Sequence, residues 1–397
     1  MDNAVEPWAE RPGGRRSVSI VSRIYRPEAA AASLRLGALA DTLRADGHDV
    51  RVLTTRPPAG IDAEAASEPG VSRWPVLRDR SGYVRGYLPY MSFDVPLLLR
   101  VLFGRSADVY VCEPPPTTGA ALRVATTIRR KPYVYYAADI WSDAAAGTSA
   151  SRAVLRVLRA LERFAVRGAA RVLTVTEGVR ERVVELAPRA STSVVGHGVD
   201  LSRFAATGAG VDEPADIVYV GSASEWHGAE IAVDALVEVL REDTALTAAF
   251  IGQGSSWQRM REEVRRQGLS ERIRFFDTVS PERAAAWLRG ARISLATLVP
   301  GKGYDFAVPT KLYASVAVGT PVVYCGPPAV AEVITRGGLG WVAPYDRRAF
   351  AQAIRDGLSD DADRPVARLI SWAHENLSAV EVARRAEAAI LDAAMWG

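Results

Sequence analysis

Short apolar runs of strand length alternate with longer helical patterns along almost the whole chain, in two successive series. Residues 17–22 (SVSIVS) read as a strand. Residues 34–44 read as a helix with Leu34, Leu36, Leu39, Ala40 and Leu43 on one apolar side, and residues 50–54 as the next strand. Gly47 stands just past that helix, where glycine commonly closes one. Strand, helix, strand in so short a span is a βαβ unit, and such units build parallel sheets. The series continues with strands at 107–112, 133–136 and 171–176 and helices at 117–127 and 151–167. After Gly- and Ala-rich stretches at 194–204 and 208–214 it restarts. Strands at 217–220, 245–251, 273–275, 293–295 and 322–324 alternate with helices that include 229–240, 256–267 and 310–318, and residues 346–394 are largely helical.

The expected fold class is therefore α/β, with two facing Rossmann-like domains and a central cleft. Open parallel sheets bind ligands outside the carboxyl ends of their strands, so the cleft is the expected site. A length of 397 residues, 48% of them hydrophobic, is enough for two cores. The expected division is a first domain at 17–200, a linker at 201–215, a second domain at 216–370 and a helical tail at 371–397 that packs back on the first domain.

The formal net charge is only +3, which gives no case for a nucleic-acid partner. Cys112 and Cys325 have apolar flanks and lie far apart, so they read as buried thiols rather than a disulfide framework. His48, His197, His227 and His374 lack metal-site spacing, and no metal site is expected. Residues 1–16 lack the apolar core of a signal peptide, and no segment approaches the roughly 20 apolar residues of a membrane span. The expectation is a cytoplasmic protein, with peripheral contact at the inner membrane face left open.

Residues 25–28 (YRPE), residues 39–50 (LADTLRADGHDV), Asp139-Ile140-Trp141, Gly198-Val199-Asp200 and the turn opening at Gly221 form a recurring set. The most diagnostic segment is 308–323 (VPTKLYASVAVGTPVV), a helix followed by Gly-x-Pro-Val and a strand. Together they resemble the family 4 glycosyltransferases of the GT-B fold. Within that family the chain is similar to the bacterial group that serves polysaccharide or antibiotic and other secondary-metabolite biosynthesis. The resemblance implies an acceptor-side first domain and a nucleotide-sugar-binding second domain. It departs from the family pattern where two glutamates separated by seven residues are usual, since the matching positions are Phe306 and Ala314. The family also commonly carries an arginine and a lysine after the first strand of the second domain. Here the segment 221–228 reads GSASEWHG, with His227 in the place of the lysine and no arginine. Ala29, Ala30, Ala31 and Ala32 stand in the loop after the first strand, where the family usually has glycines.

Negative charge grows on a departing diphosphate, so such a site needs backbone N–H groups, a helix N-terminus or cations. Gly221 and Ser222, between a strand and a helix, meet the backbone requirement, although a tight turn without a ligand would look the same. Lys311 sits near a helix start, where a cation opposes the helix dipole and a bound diphosphate would offset the conflict. Lys302 lies in a loop that can close over the donor. His227 is placed to donate to the diphosphate, neutral or as a cation, and Trp226 beside it can pack on the nucleotide. Glu332 resembles the family carboxylate that accepts from the ribose hydroxyls; its plainer reading is a solvated helix face.

Asp139, just beyond the strand at 133–136, is the expected catalytic group, orienting or activating the acceptor hydroxyl. Its plainer reading is a helix cap. His227 is the second catalytic candidate, and Glu28 and Glu113 are the acceptor-side candidates. Arg152, Arg156, Arg159, Arg163 and Arg167 mark one helix face that suits either water or anionic lipid.

The resemblance implies a metal-independent, hexosyltransferase-like transfer with retention of configuration and no tightly bound cofactor. The substrate would be a UDP-, dTDP- or GDP-linked sugar, the acceptor a small molecule or a lipid-linked one, and a homodimer is left open. The alternatives are a sugar-nucleotide epimerase, a cyclitol-coupling homologue and a non-catalytic nucleotide-binding subunit.

Overall fold

The computed structural model describes residues 14–28, 30–58, 67–79, 84, 86–146, 151–359 and 366–395. The first series runs β1 (Ser17–Val21), α1 (Ala31–Ala45), β2 (Asp49–Thr55), β3 (Val71–Trp74), α2 (Tyr87–Phe103), β4 (Val109–Cys112), α3 (Pro116–Arg129), β5 (Tyr133–Ala137), α4 (Trp141–Ala146), α5 (Arg152–Gly168), β6 (Arg171–Thr174), α6 (Glu177–Leu186) and β7 (Thr192–Val194). Its seven strands form one sheet in the order β3-β2-β1-β4-β5-β6-β7. The second series runs β8 (Ile217–Val220), α7 (Glu230–Glu242), β9 (Ala248–Ile251), α8 (Trp257–Arg266), β10 (Ile273–Phe276), α9 (Pro281–Gly290), β11 (Ile293–Thr297), α10 (Thr310–Ala317), β12 (Val322–Cys325), α11 (Pro328–Gly337) and β13 (Gly340–Ala343). Its six strands form a second sheet, β10-β9-β8-β11-β12-β13. The tail is α12 (Arg347–Ser359), α13 (Val366–Leu377) and α14 (Ala379–Ala393).

The molecule is thus two Rossmann-like α/β halves in a GT-B arrangement. Strand order reverses beside β1, which pairs with β2 and β4, and beside β8, which pairs with β9 and β11, in parallel register throughout. Those reversals open the crevices where ligands bind in such sheets. The inner strands VYVC, YVYYA, AAFI, ISLAT and VVYC are buried at every residue, because helices cover both faces of a parallel sheet.

The chain crosses between the halves twice at one place. The Val199 N–H donates to Leu377 O at 2.8 Å, and Val199 bridges Ser378. α13 packs on α10 of the second half and α14 on α1 of the first. α13 runs unbroken through position 371, so we place the start of the returning tail at 377–379.

The strand expected at 171–176 stops at Thr174 because the Thr176 hydroxyl accepts the Val179 N–H at 3.2 Å and caps α6. The strand expected at 245–251 starts only at Ala248, since Thr247 is held by the Asp216 carboxylate at 2.9 Å. Cys112 and Cys325 are buried free thiols.

Candidate functional site

The second sheet presents a tight turn at the carboxyl end of β8. Tyr219 is fully buried on the strand, and its hydroxyl donates to Ser222 O at 2.9 Å. Gly221 turns at φ +124°, with its N–H on Ile251 O at 2.8 Å. Gly252 follows at φ +144°, and a Cβ there would lie 2.2 Å from Gly221 O, so two glycines let two backbones meet. Lys311, in the first turn of α10, reaches back into this turn. Its ammonium donates to the Tyr219 hydroxyl and to Ser222 O at 3.0 Å, 3.9 Å from the Tyr219 ring centre. Burial lowers its pKa to about 7, because nothing anionic offsets the lost hydration.

His227 lies at the far side of the same turn. Its Nδ1 accepts the Ser224 N–H at 3.2 Å, which leaves the ring proton on Nε2. Burial, and then the Lys311 charge, lower its pKa to about 3. The unliganded turn therefore holds a neutral imidazole, and the cation would need a bound phosphate to raise its pKa.

Gly221, Ser222, His227 and Lys311 all line one cavity of about 450 Å³ between the halves. Leu34 and Arg35 of α1 line it from the first half, and His197 lines it where the chain crosses over. His197 packs against Tyr313 at 5.9 Å, and burial followed by Arg35 lowers its pKa to about 4. Asp200 is the carboxylate among the described lining residues. It is already occupied by the Ser202 N–H and hydroxyl at 3.0 and 2.5 Å and by the Arg203 N–H at 3.3 Å. Ala314 lines the cavity where the family resemblance would put a glutamate.

The other candidates fall outside this lining. Trp226 stacks on Tyr304 with ring centres 5.6 Å apart and planes at 25°, fastening the 299–305 loop to the turn. Lys302 is exposed on that loop. Asp139 keeps part of its surface open to water but lies within electrostatic reach of Arg35 and of Tyr304 from the opposite half. Crowding by protein raises its carboxyl above the ordinary value, and Arg35 partly pulls it back.

Glu113 is buried and paired with Arg35, whose Nε donates at 2.7 Å. Burial pushes Glu113 up and Arg35 opposes it. It reaches the cavity only through Arg35, so it anchors a lining residue where the sequence suggested direct contact. Glu28 is held by Arg78 at 3.0 Å. Glu332 sits on the exposed face of α11, paired with Arg336 one turn on. Val330 and Ile334 take the buried face of that helix, so Glu332 points away from the core.

Two lining partners escaped the sequence. Arg35 carries a usable signal, a cation next to Leu36 in the largely apolar first turns of its helix. Tyr219 carries none, because within a buried strand it looks like any core aromatic. Among the described residues no group of three or more His, Cys, Asp or Glu is placed to hold a metal ion.

Comparison with known proteins follows the same division into halves. Residues 31–198 match the family model described as glycosyl transferase 4-like domain, and residues 214–360 match glycosyl transferases group 1. A candidate colanic acid biosynthesis glycosyltransferase of Escherichia coli K12 is 26% identical over 193 residues, 48% of this chain and 47% of that one. Glycogen synthase of Mycobacterium tuberculosis is 28% identical over 221 residues, 53% and 51% of the two chains. The match thus spans about half the length of these relatives. Among solved structures, HepE of Anabaena in complex with UDP and glucose superposes with a TM-score of 0.68 at 16% identity, over 94% of this chain and 99% of that one.

Proposed function

This chain belongs to the family 4 glycosyltransferases of the GT-B fold, related to bacterial polysaccharide-biosynthesis enzymes, and from that we propose that it transfers a sugar from a nucleoside diphosphate to an acceptor hydroxyl in the cleft. The observation that carries this reading is the convergence of Gly221, Ser222, His227 and Lys311 on one wall of an inter-half cavity. A diphosphate seated there meets the Ser222 backbone, the start of α10, the Nε2–H of His227 and the Lys311 ammonium. Lys311 supplies from α10 the cation that the turn itself lacks. With the diphosphate bound, its ammonium is favoured again.

The acceptor enters from the Asp139 side. Its hydroxyl attacks the anomeric carbon on the face that the nucleotide leaves, which retains configuration. The carbon–oxygen bond to phosphate breaks, the bond to the acceptor oxygen forms, and the hydroxyl proton passes to the departing phosphate. Asp139 orients the hydroxyl, and closure of the halves excludes water. No protein group in this scheme requires a metal. A UDP-linked hexose is the donor we favour, in line with the UDP and glucose held by HepE. The acceptor is a small molecule or a lipid-linked one, and two unpaired thiols suit the reducing cytoplasm.

Thermal shift against UDP, dTDP, GDP and ADP, with and without magnesium, tests the reading. A magnesium-independent rise with one nucleotide, lost in Lys311→Ala, is expected. No rise with any of the four would overturn it in favour of a cleft that has lost its ligand.

A further inference from the structure

We propose that Arg35 is a further substrate-binding residue, which reaches from the first half to the terminal phosphate of the nucleoside diphosphate and faces Lys311 and His227 across the cleft. The proposal rests on the glycosyltransferase reading for the identity of the ligand. It goes beyond that reading in giving the first half a direct hold on the leaving group.

Charge balance asks for a second cation. A terminal phosphate carries about −1.5 to −2 at pH 7, and the inner phosphate adds to it. Lys311, with a pKa of about 7 before the ligand arrives, brings a single positive charge, and His227 is neutral. The segment 221–228 holds no arginine. Among the described lining residues two further cations remain, Arg35 and Arg203. Arg203 already donates its Nε to Glu282 at 2.6 Å, and its side chain is 39% exposed, where water screens it. The Arg35 side chain is only 9% exposed, so its charge acts through little water.

The surroundings of Arg35 leave one part of its fork free. Nε donates to Glu113 Oε1 at 2.7 Å, and Nη2 donates to the same oxygen. The guanidinium carbon lies 5.2 Å from the centre of the buried Tyr136 ring. One edge and one face are thus fixed. Nη1 has no hydrogen-bond partner among the described residues. It is not sealed in the core, unlike the Arg23 Nη1, which is buried without a partner. The free nitrogen therefore belongs to a held side chain in the wall of the cavity that Gly221, Ser222 and Lys311 line from the other half. A fork fixed in this way loses little freedom when a phosphate arrives. The first turn of α1 adds no acidic residue, and Ala30 and Ala31 at its start line the cavity beside Arg35. A diphosphate between Arg35 and Lys311 is then a tie between the two halves.

Calorimetric titration of the full chain with UDP and with UMP tests this. Glu113→Gln, which keeps the guanidinium, is the reference. Arg35→Met/Glu113→Gln removes the guanidinium without stranding a buried charge. It should bind UDP about 10- to 100-fold more weakly than the reference, the loss of a charged hydrogen bond, while the two bind UMP alike. Proton uptake with UDP near pH 8.5 should persist in the double variant, because it belongs to Lys311 and shows that the turn is still formed. Arg35→Lys keeps a charge beside Glu113 and guards against misfolding. It should also lose UDP affinity relative to UMP, because an ammonium lacks the fork that holds carboxylate and phosphate together. Equal UDP affinity in the double variant and the reference, or equal losses for UDP and UMP, would overturn the proposal. Those outcomes remove the Arg35 contact alone, whereas a wild-type chain that binds no nucleotide removes the transferase reading and this proposal with it.

Discussion

Lys311→Met should remove the pH dependence of donor-nucleotide affinity above neutrality. In the unliganded protein the ammonium sits against a phenol and a carbonyl, and burial holds its pKa at about 7. At pH 9 only about one molecule in a hundred then carries the charge. A diphosphate at the Gly221 turn favours the ammonium and raises that pKa. The complex therefore binds more protons than the free protein, and affinity must fall as pH rises through and above 7. The limiting slope is about tenfold per pH unit, or about 1.4 kcal/mol, giving roughly 30-fold between pH 7.5 and 9. The nucleotide's terminal phosphate, with a pKa of about 6, is already ionised across that window and adds little. His227, held at about 3, adds nothing there unless the ligand raises it into range. Calorimetric titration with UDP in two buffers of different ionisation enthalpy measures the proton directly. Uptake should approach one proton near pH 8.5 and about half a proton near pH 7. Lys311→Met should bind more weakly at pH 7 and show no uptake. Wild-type binding without proton uptake at pH 8.5, or the same slope in the variant, would refute the placement of the phosphate against Lys311.

Other outcomes follow from single contacts. His227→Ala removes one donor to a charged group and should weaken UDP binding by about 10- to 100-fold in the same titration. Gly252→Ala places a Cβ 2.2 Å from Gly221 O at a φ of +144°, so thermal denaturation should show a loss of about 2–4 kcal/mol and the nucleotide shift should vanish. Arg35→Met strands Glu113 in the core and should cost about 3–5 kcal/mol in urea unfolding at pH 7. The cost should shrink toward pH 5, where Glu113 is more readily neutral, and shrink in the double variant with Glu113→Gln. Asp139→Asn should leave UDP affinity intact while slowing transfer by 100-fold or more, measured as UDP released in the presence of acceptor.

Much of the architecture was legible because parallel strands are buried on both faces and so appear as unbroken apolar runs, such as 133–136 and 322–324. β3 escaped because it is an edge strand with alternate residues open to water. α2 escaped because its outer stripe is apolar too, which removes the two-sided pattern by which a surface helix is recognised. The cavity wall was partly legible. A glycine at a strand end and a lysine at a helix start each break a local preference, and such breaks often mark ligands.

The sequence by itself determined the two α/β series, the glycine at the strand end at 221, and the arginine face of α5. All of these follow from local period, backbone freedom and charge spacing. Tertiary structure alone decided which side chains share the cleft. Glu332 faces solvent because its helix buries Val330 and Ile334 instead, and Glu113 is spent on Arg35, 78 residues earlier in the chain. Lys311 becomes a titratable group near neutrality only because α10 folds it onto Tyr219, 92 residues earlier. A pKa and a pairing depend on what surrounds a group in space, and no local pattern in the chain carries that.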